Sequence, residues 1–155
     1  MIPNIVCESL PLFPSRMNPM KAGWVLAFMA PVLLQAQHRL EIDVEGVESA
    51  TGSIQVALYT APEQFLKNEG VYRSGSFRAH KGTTRVLLDN LPAGTYALAI
   101  FHDLNDNQEL DKNWMGIPKE PMGFSNARMK TFGPPGFEEC RIDLRQDMTL
   151  TITLE

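Results

Sequence analysis

The chain has 155 residues, 44% of them apolar and 21% charged, an ordinary globular balance that points to a single domain. Its formal net charge is −4, with no basic cluster, which argues against DNA or RNA as a partner because binding either needs Lys and Arg to neutralise phosphates.

Residues 1–37 read as an export segment rather than as fold. Lys21 precedes an apolar run from Trp24 to Leu34 that ends in Gln35-Ala36-Gln37, the order of a secretory signal peptide. The 15 residues from Ala22 to Ala36 fall short of the roughly 20 that span a bilayer, so no transmembrane anchor is expected in the mature form. Met17 and Met20 both make better starts for such a signal, which leaves the residues ahead of Met20 as an upstream extension. Cleavage is expected after Ala36 or Gln37, and Cys7 lies ahead of the apolar run, where no lipid-anchor arrangement follows it. The expected product is one exported domain, residues 38–155, periplasmic or secreted. Setting aside Arg16, Lys21 and Glu8 leaves 12 basic and 17 acidic residues there, a net −5, and only Cys140 as a thiol, so no internal disulfide can form.

From His38 onward the dominant period is two, the mark of strands with one buried and one wet face. Leu40, Ile42 and Val44 alternate with charged residues, and after a turn-rich break from Gly46 to Gly52 come Ile54, Val56 and Leu58. These two strands are expected to form a hairpin. Pro62 to Gly70 reads as one or two helical turns, with Pro at the start and Gly at the end. A weaker strand over Tyr72–His80 and another over Thr84–Asp89 follow, then a tight turn at Leu91-Pro-Ala-Gly94. Tyr96–Phe101 is apolar on both faces and should be a central strand. The chain closes with Arg141–Arg145, a turn, and the alternation of Met148, Leu150, Ile152 and Leu154 with threonines, read as a closing hairpin. About seven antiparallel strands imply an all-β two-sheet sandwich of immunoglobulin-like or transthyretin-like type.

The central strand runs straight into Asp103-Leu-Asn-Asp-Asn-Gln-Glu-Leu-Asp111, which places an oxygen-bearing side chain at every second position. Asp103, Asn105, Asn107 and Asp111, with the carbonyl of Glu109, match the first, third, fifth, ninth and seventh positions of a calcium loop. Two departures weaken the match. Gln108 stands at the sixth position, where a left-handed turn costs a residue with a Cβ roughly 1–2 kcal/mol. Trp114 stands at the twelfth, where an EF-hand would have Glu, so the EF-hand itself is excluded and further oxygens would come from Glu120, Glu138 or Glu139. Calcium is the cofactor this spacing suggests, with a dissociation constant on the order of 10⁻⁴–10⁻³ M. The competing reading is an Asx-rich turn, in which Asp and Asn side chains bond their own backbone without a metal.

The 36 residues from Leu104 to Glu139 read as a strand-free loop rich in aromatics, Gly and Pro, packed as a cap. Its rings either cover the open end of the sandwich or form a ligand or partner surface, for which Trp114, Phe124, Asn126 and Phe132 are the candidates. Phe101-His-Asp-Leu-Asn-Asp-Asn-Gln-Glu-Leu-Asp111, Gly116-Ile-Pro-Lys-Glu120, Gly123-Phe-Ser-Asn126 and Phe132-Gly-Pro-Pro135, preceded by Leu91-Pro-Ala-Gly-Thr-Tyr96, resemble a family of small exported bacterial proteins classed as a domain of unknown function, family 2141. The resemblance covers essentially all of residues 38–155 and implies a transthyretin-like sandwich but no activity. The chain departs from it at Gln108, where the family usually has Gly, and at Ala127, where Asn is usually doubled.

Three functional classes follow. The first is a non-catalytic binding or adhesion module steadied by calcium, with an extracellular ligand. The second is a hydrolase-type enzyme using His102 beside Asp103, with His80, Cys140, Ser125, Glu138 and Glu139 as further reactive types. The third is an accessory subunit of a cell-envelope assembly, docking through the aromatic cap to an envelope protein. No Gly-rich phosphate loop, nucleophile elbow or His-x-x-x-His pair is present.

Overall fold

The computed structural model describes residues 36–155. The expected upstream extension and all but the end of the export segment lie outside the described residues. Among these residues eight strands and one short α-helix follow in order, with two 3-10 turns between the second and third strands: β1 (Gln37–Val47), β2 (Ser53–Tyr59), β3 (Arg73–Arg78), β4 (Gly82–Pro92), β5 (Gly94–Asp103), β6 (Met122–Phe124), α1 (Phe137–Cys140), β7 (Arg141–Leu144) and β8 (Met148–Thr153). They form a β-sandwich of a three-stranded sheet, ordered β4-β1-β8, and a five-stranded sheet, ordered β3-β2-β5-β6 with β7 also on β5.

Alternation decides which side chains enter the core, since successive strand residues face opposite ways. Leu40, Ile42 and Val44 of β1, Ile54, Val56 and Leu58 of β2, Leu98 and Ile100 of β5, and Ile152 of β8 meet between the sheets, nearly all fully buried. The other face of β5, Ala97, Ala99 and Phe101, packs into a second cluster with Tyr59, Phe65, Phe124 and Phe137. The two 3-10 turns at Pro62–Gln64 and Asn68–Gly70 frame Phe65, whose ring stands edge-on to Tyr59 and Phe137 at centroid distances of 5.2 and 5.9 Å. The five-stranded sheet is therefore covered on both faces, as the doubly apolar sequence of β5 requires.

Three sequence-based expectations are corrected. β1 and β2 form no hairpin: β1 pairs antiparallel with β4, and β2 with β3 and β5, so the Gly46–Gly52 break carries the chain from one sheet to the other. Both strands point apolar residues into the same core, a pattern shared by strands side by side and strands face to face. The closing pair is likewise split, with β7 antiparallel to β5 and β8 parallel to β1, which makes the sandwich not wholly antiparallel. The long loop is not strand-free, because β6 pairs with Ala99–Phe101 inside it.

β6 and β7 share one edge of β5, end to end, and Ser125 joins them. Its backbone N–H donates to the Leu98 carbonyl at 3.2 Å, its Oγ accepts the Leu98 N–H at 2.9 Å, and the same hydroxyl donates to the Cys140 carbonyl. Asn126, left-handed at φ 54°, donates its side-chain amide to the Arg141 carbonyl at 2.7 Å. Gly123 lets β6 approach β8, since a Cβ there would sit 2.7 Å from Ile152 Cγ2 and from the Thr153 carbonyl. Met122 and Glu155 then exchange backbone hydrogen bonds at 3.1 and 3.0 Å, closing that edge between the sheets.

Candidate functional site

Asp103 ends β5 on the outer face of the five-stranded sheet and is fully buried. Its Oδ1 accepts the backbone N–H of Asn107 at 3.2 Å, while Oδ2 accepts that of Gln108 at 2.8 Å and the Gln55 side-chain amide at 3.2 Å. Asn105 Oδ1 takes the Asn107 N–H at 3.1 Å, and Asn107 Oδ1 takes the Glu109 N–H at 2.8 Å. These are Asx turns, each folding the chain back on a side-chain oxygen. Asp106 and Gln108 are both left-handed, at φ 55° and 63°, so the sixth position has the turn expected of it, made by a residue with a Cβ.

Two β2 side chains fasten this loop to the sheet. Ser53 Oγ donates to Asp106 Oδ1 at 2.7 Å, and Gln55 reaches Asp103 and Ser53. Gly52, at φ 73°, passes so close beneath that a Cβ there would collide with the Asp103 carbonyl. The loop's far end is held by Glu120, 6% exposed, whose Oε1 accepts the Leu104 N–H at 2.9 Å and whose Oε2 accepts the Asp111 N–H at 3.1 Å. One buried carboxylate thus closes both ends of the acidic stretch. Sequence spacing offered Glu120 only as an extra oxygen for an ion, because nothing local tells which backbone donors a distant carboxylate will meet.

The oxygens are of the right type for calcium, and in this arrangement hydrogen-bond donors face them. Asn105 and Asn107 turn their NH₂ groups to Asp111, at 3.0 and 3.3 Å, so both present donors where a cation needs oxygens. Both oxygens of Glu120 face backbone N–H groups, and Glu138 and Glu139 sit elsewhere, pairing with Arg141 at 3.6 Å and Lys130 at 2.6 Å. Among the described residues no three His, Cys, Asp or Glu side chains gather in a metal-holding group.

Between Asp111 and Glu120 the chain makes a small hairpin. Lys112 bridges Pro118, Lys119 N–H donates to the Asp111 carbonyl at 2.8 Å, and Asn113 N–H donates to the Ile117 carbonyl at 2.9 Å. Asn113 Oδ1 accepts the N–H groups of Met115 and Ile117 at 2.9 and 3.0 Å, and Gly116, at φ 80°, completes the turn. This ordered tip exposes its apolar side chains: Trp114 is 91% exposed, with Met115 and Ile117 each more than half exposed. Phe132, on a second turn where Lys130 N–H donates to the Gly133 carbonyl at 3.1 Å, is also fully exposed. Phe124 instead is buried in the second cluster, while Asn126 stays exposed as it donates its amide to Arg141, so three of the four expected surface residues face solvent and two of them are rings.

The candidate reactive groups stay apart. His102 is fully buried on the opposite face of β5 from Asp103, with Nε2 at 2.8 Å from the Thr51 carbonyl and Nδ1 without a partner among the described residues. A carbonyl partner makes Nε2 the protonated nitrogen. Ser125 is buried and engaged with Leu98 and Cys140 backbone, and burial pushes the Cys140 thiol up to about 11. The exposed His80 enters only through its backbone, which exchanges hydrogen bonds with Thr84 Oγ1 at 2.8 and 3.1 Å. No nucleophile in this set is hydrogen-bonded to an imidazole.

No curated protein and no solved structure matches the chain. A family model described as an uncharacterised protein conserved in bacteria (DUF2141) matches residues 42–153, nearly the whole sandwich. The chain therefore belongs to this uncharacterised bacterial family.

Proposed function

We propose that this chain is an exported, non-catalytic binding module whose working surface is the hairpin over residues 112–119. The observation that carries this reading is Trp114, 91% exposed on a turn fixed by Asn113. A large aromatic held rigidly in water has no folding role to explain it, whereas an exposed apolar tip on an ordered support suits binding. Export rests on the Lys21 and Trp24–Leu34 pattern. The accessory-subunit and adhesion readings share this surface, while the hydrolase reading draws no support from the separate burial of Ser125, Cys140 and His102. The test is envelope association of the wild type and of Trp114→Ser with Ile117→Ser. Loss of association at an unchanged melting temperature is expected, and equal association of the two would overturn the reading.

Calcium is a second proposal, with one observation in its favour: Gln108 supplies the left-handed sixth position of the loop. Binding would require Asn105 and Asn107 to rotate their amides so that oxygens replace NH₂ groups beside Asp111. The affinity is then weak, on the order of 10⁻³ M. A melting midpoint that rises in calcium at about tenfold that concentration, and does not rise in Asp103→Ala with Asp111→Ala, supports the ion. An unshifted midpoint removes it.

A further inference from the structure

We propose that the 112–119 hairpin docks on an anionic phospholipid surface, with Trp114, Met115 and Ile117 entering the interface and Lys112 and Lys119 meeting the lipid phosphates. This rests on the binding-module reading and names its target.

Size separates a lipid surface from a protein partner. A standard protein interface buries about 800 Å² on each side. Trp114 supplies about 150–250 Å² and Met115 and Ile117 less each, so the tip alone falls well short. It is also a projection rather than a flat patch or groove: a Cβ on Gly116, at its apex, would meet nothing within 4 Å. A few apolar side chains need only sink about 5–10 Å into the headgroup boundary to be buried, and tryptophan is favoured at that depth.

Charge points the same way. Lys112 and Lys119 flank the tip, placed at its base by the Lys112–Pro118 bridge and the bond from Lys119 to Asp111. Both are exposed, and neither forms an ion pair among the described residues, unlike Lys130, which pairs with Glu139. The rest of the domain is acidic, so an anionic surface repels the body and attracts the collar, which orients the molecule tip-first.

The test uses the full chain carrying Trp24→Phe, which leaves Trp114 as its only tryptophan. Vesicles of phosphatidylglycerol and phosphatidylcholine, and of phosphatidylcholine alone, are titrated while Trp114 emission and its quenching by brominated lipid are followed. A blue shift and quenching are expected on the anionic vesicles, both lost in Met115→Ser with Ile117→Ser. Lys112→Gln with Lys119→Gln should weaken partitioning about 30-fold, and added salt should weaken the parent in the same sense. Trp114 quenching that is absent, or unchanged in either double variant, overturns the proposal, since the Trp24–Leu34 run would then account for any binding. A blue shift that grows with protein concentration in the absence of lipid would assign the tip to a second copy of the chain. Should the vesicles fail while envelope association still depends on Trp114 and Ile117, only the lipid is removed and the binding-module reading stands. Loss of both dependences removes both.

Discussion

Gln108 donates its backbone N–H to the buried carboxylate of Asp103 at 2.8 Å while holding a left-handed φ of 63°. The hydrogen bond and the strain belong together, because the tight return that brings the N–H under the carboxylate is the one a Cβ opposes. Replacing Gln108 by Gly removes the steric cost of roughly 1–2 kcal/mol and adds back about 0.4–1 kcal/mol of unfolded-chain entropy. Gln108→Gly should therefore stabilise the protein by about 0.5–1 kcal/mol, read as a higher urea midpoint at constant slope. Gln108→Ala keeps the Cβ and should give no gain.

Glu120 is the buried hinge pin of the acidic loop. Glu120→Gln keeps the shape but leaves one of the Leu104 and Asp111 N–H groups facing an NH₂. Such a loss costs about 1–3 kcal/mol. The drop should appear in chemical denaturation, with faster hydrogen exchange at the Leu104 and Asp111 amides. Unchanged exchange at both would show that the carboxylate does not close the loop.

Cys140, the last residue of α1, is buried in the second cluster with Ala97 of β5, and its thiol is pushed up to about 11 by that burial, with Glu139 adding to the effect. In a Cys7→Ser background the folded protein should resist thiol reagents at pH 8 and react fully once denatured. Fast labelling of the native state would contradict the packing of the second cluster.

Two exposed carboxylates lie below their ordinary range: Glu139, through Lys130 and the Gly136 N–H, and Asp143, through Arg141 and Thr95. A depressed folded-state value favours folding above the unfolded value, and that contribution is lost as pH falls through the folded one. Stability should thus decline below about pH 4, the range of unperturbed carboxylates. Glu139→Gln and Asp143→Asn should each flatten the acid limb of melting temperature against pH. Curves parallel to the wild type would show that neither pairing persists in solution. Both groups are exposed, so the effects are small.

Alternation made the strands legible: Leu40, Ile42 and Val44 point inward, and the doubly apolar Tyr96–Phe101 lies at the centre of its sheet. Pairing was not legible, because an inward-facing β1 looks the same whether β2 lies beside it or across the core. β6 escaped notice since Met122-Gly-Phe124 is too short to show a period, and its partner is set by Ser125 and Gly123 contacts far away in sequence. At the site, the Asx chemistry of Asp103–Asp111 could be read from residue type. The closure by Glu120 and the outward turn of Trp114 could not, since each depends on where the chain returns.

This loop is a preorganised support that holds Trp114 in solvent. Backbone ¹⁵N relaxation at Asn113, Met115, Gly116 and Ile117 measures that preorganisation. Order parameters near those of rigid backbone, about 0.85, are expected in the wild type, with a fall in Glu120→Gln. Values below about 0.6 in the wild type would rule the support out, because a tip that samples many conformations presents no fixed docking surface.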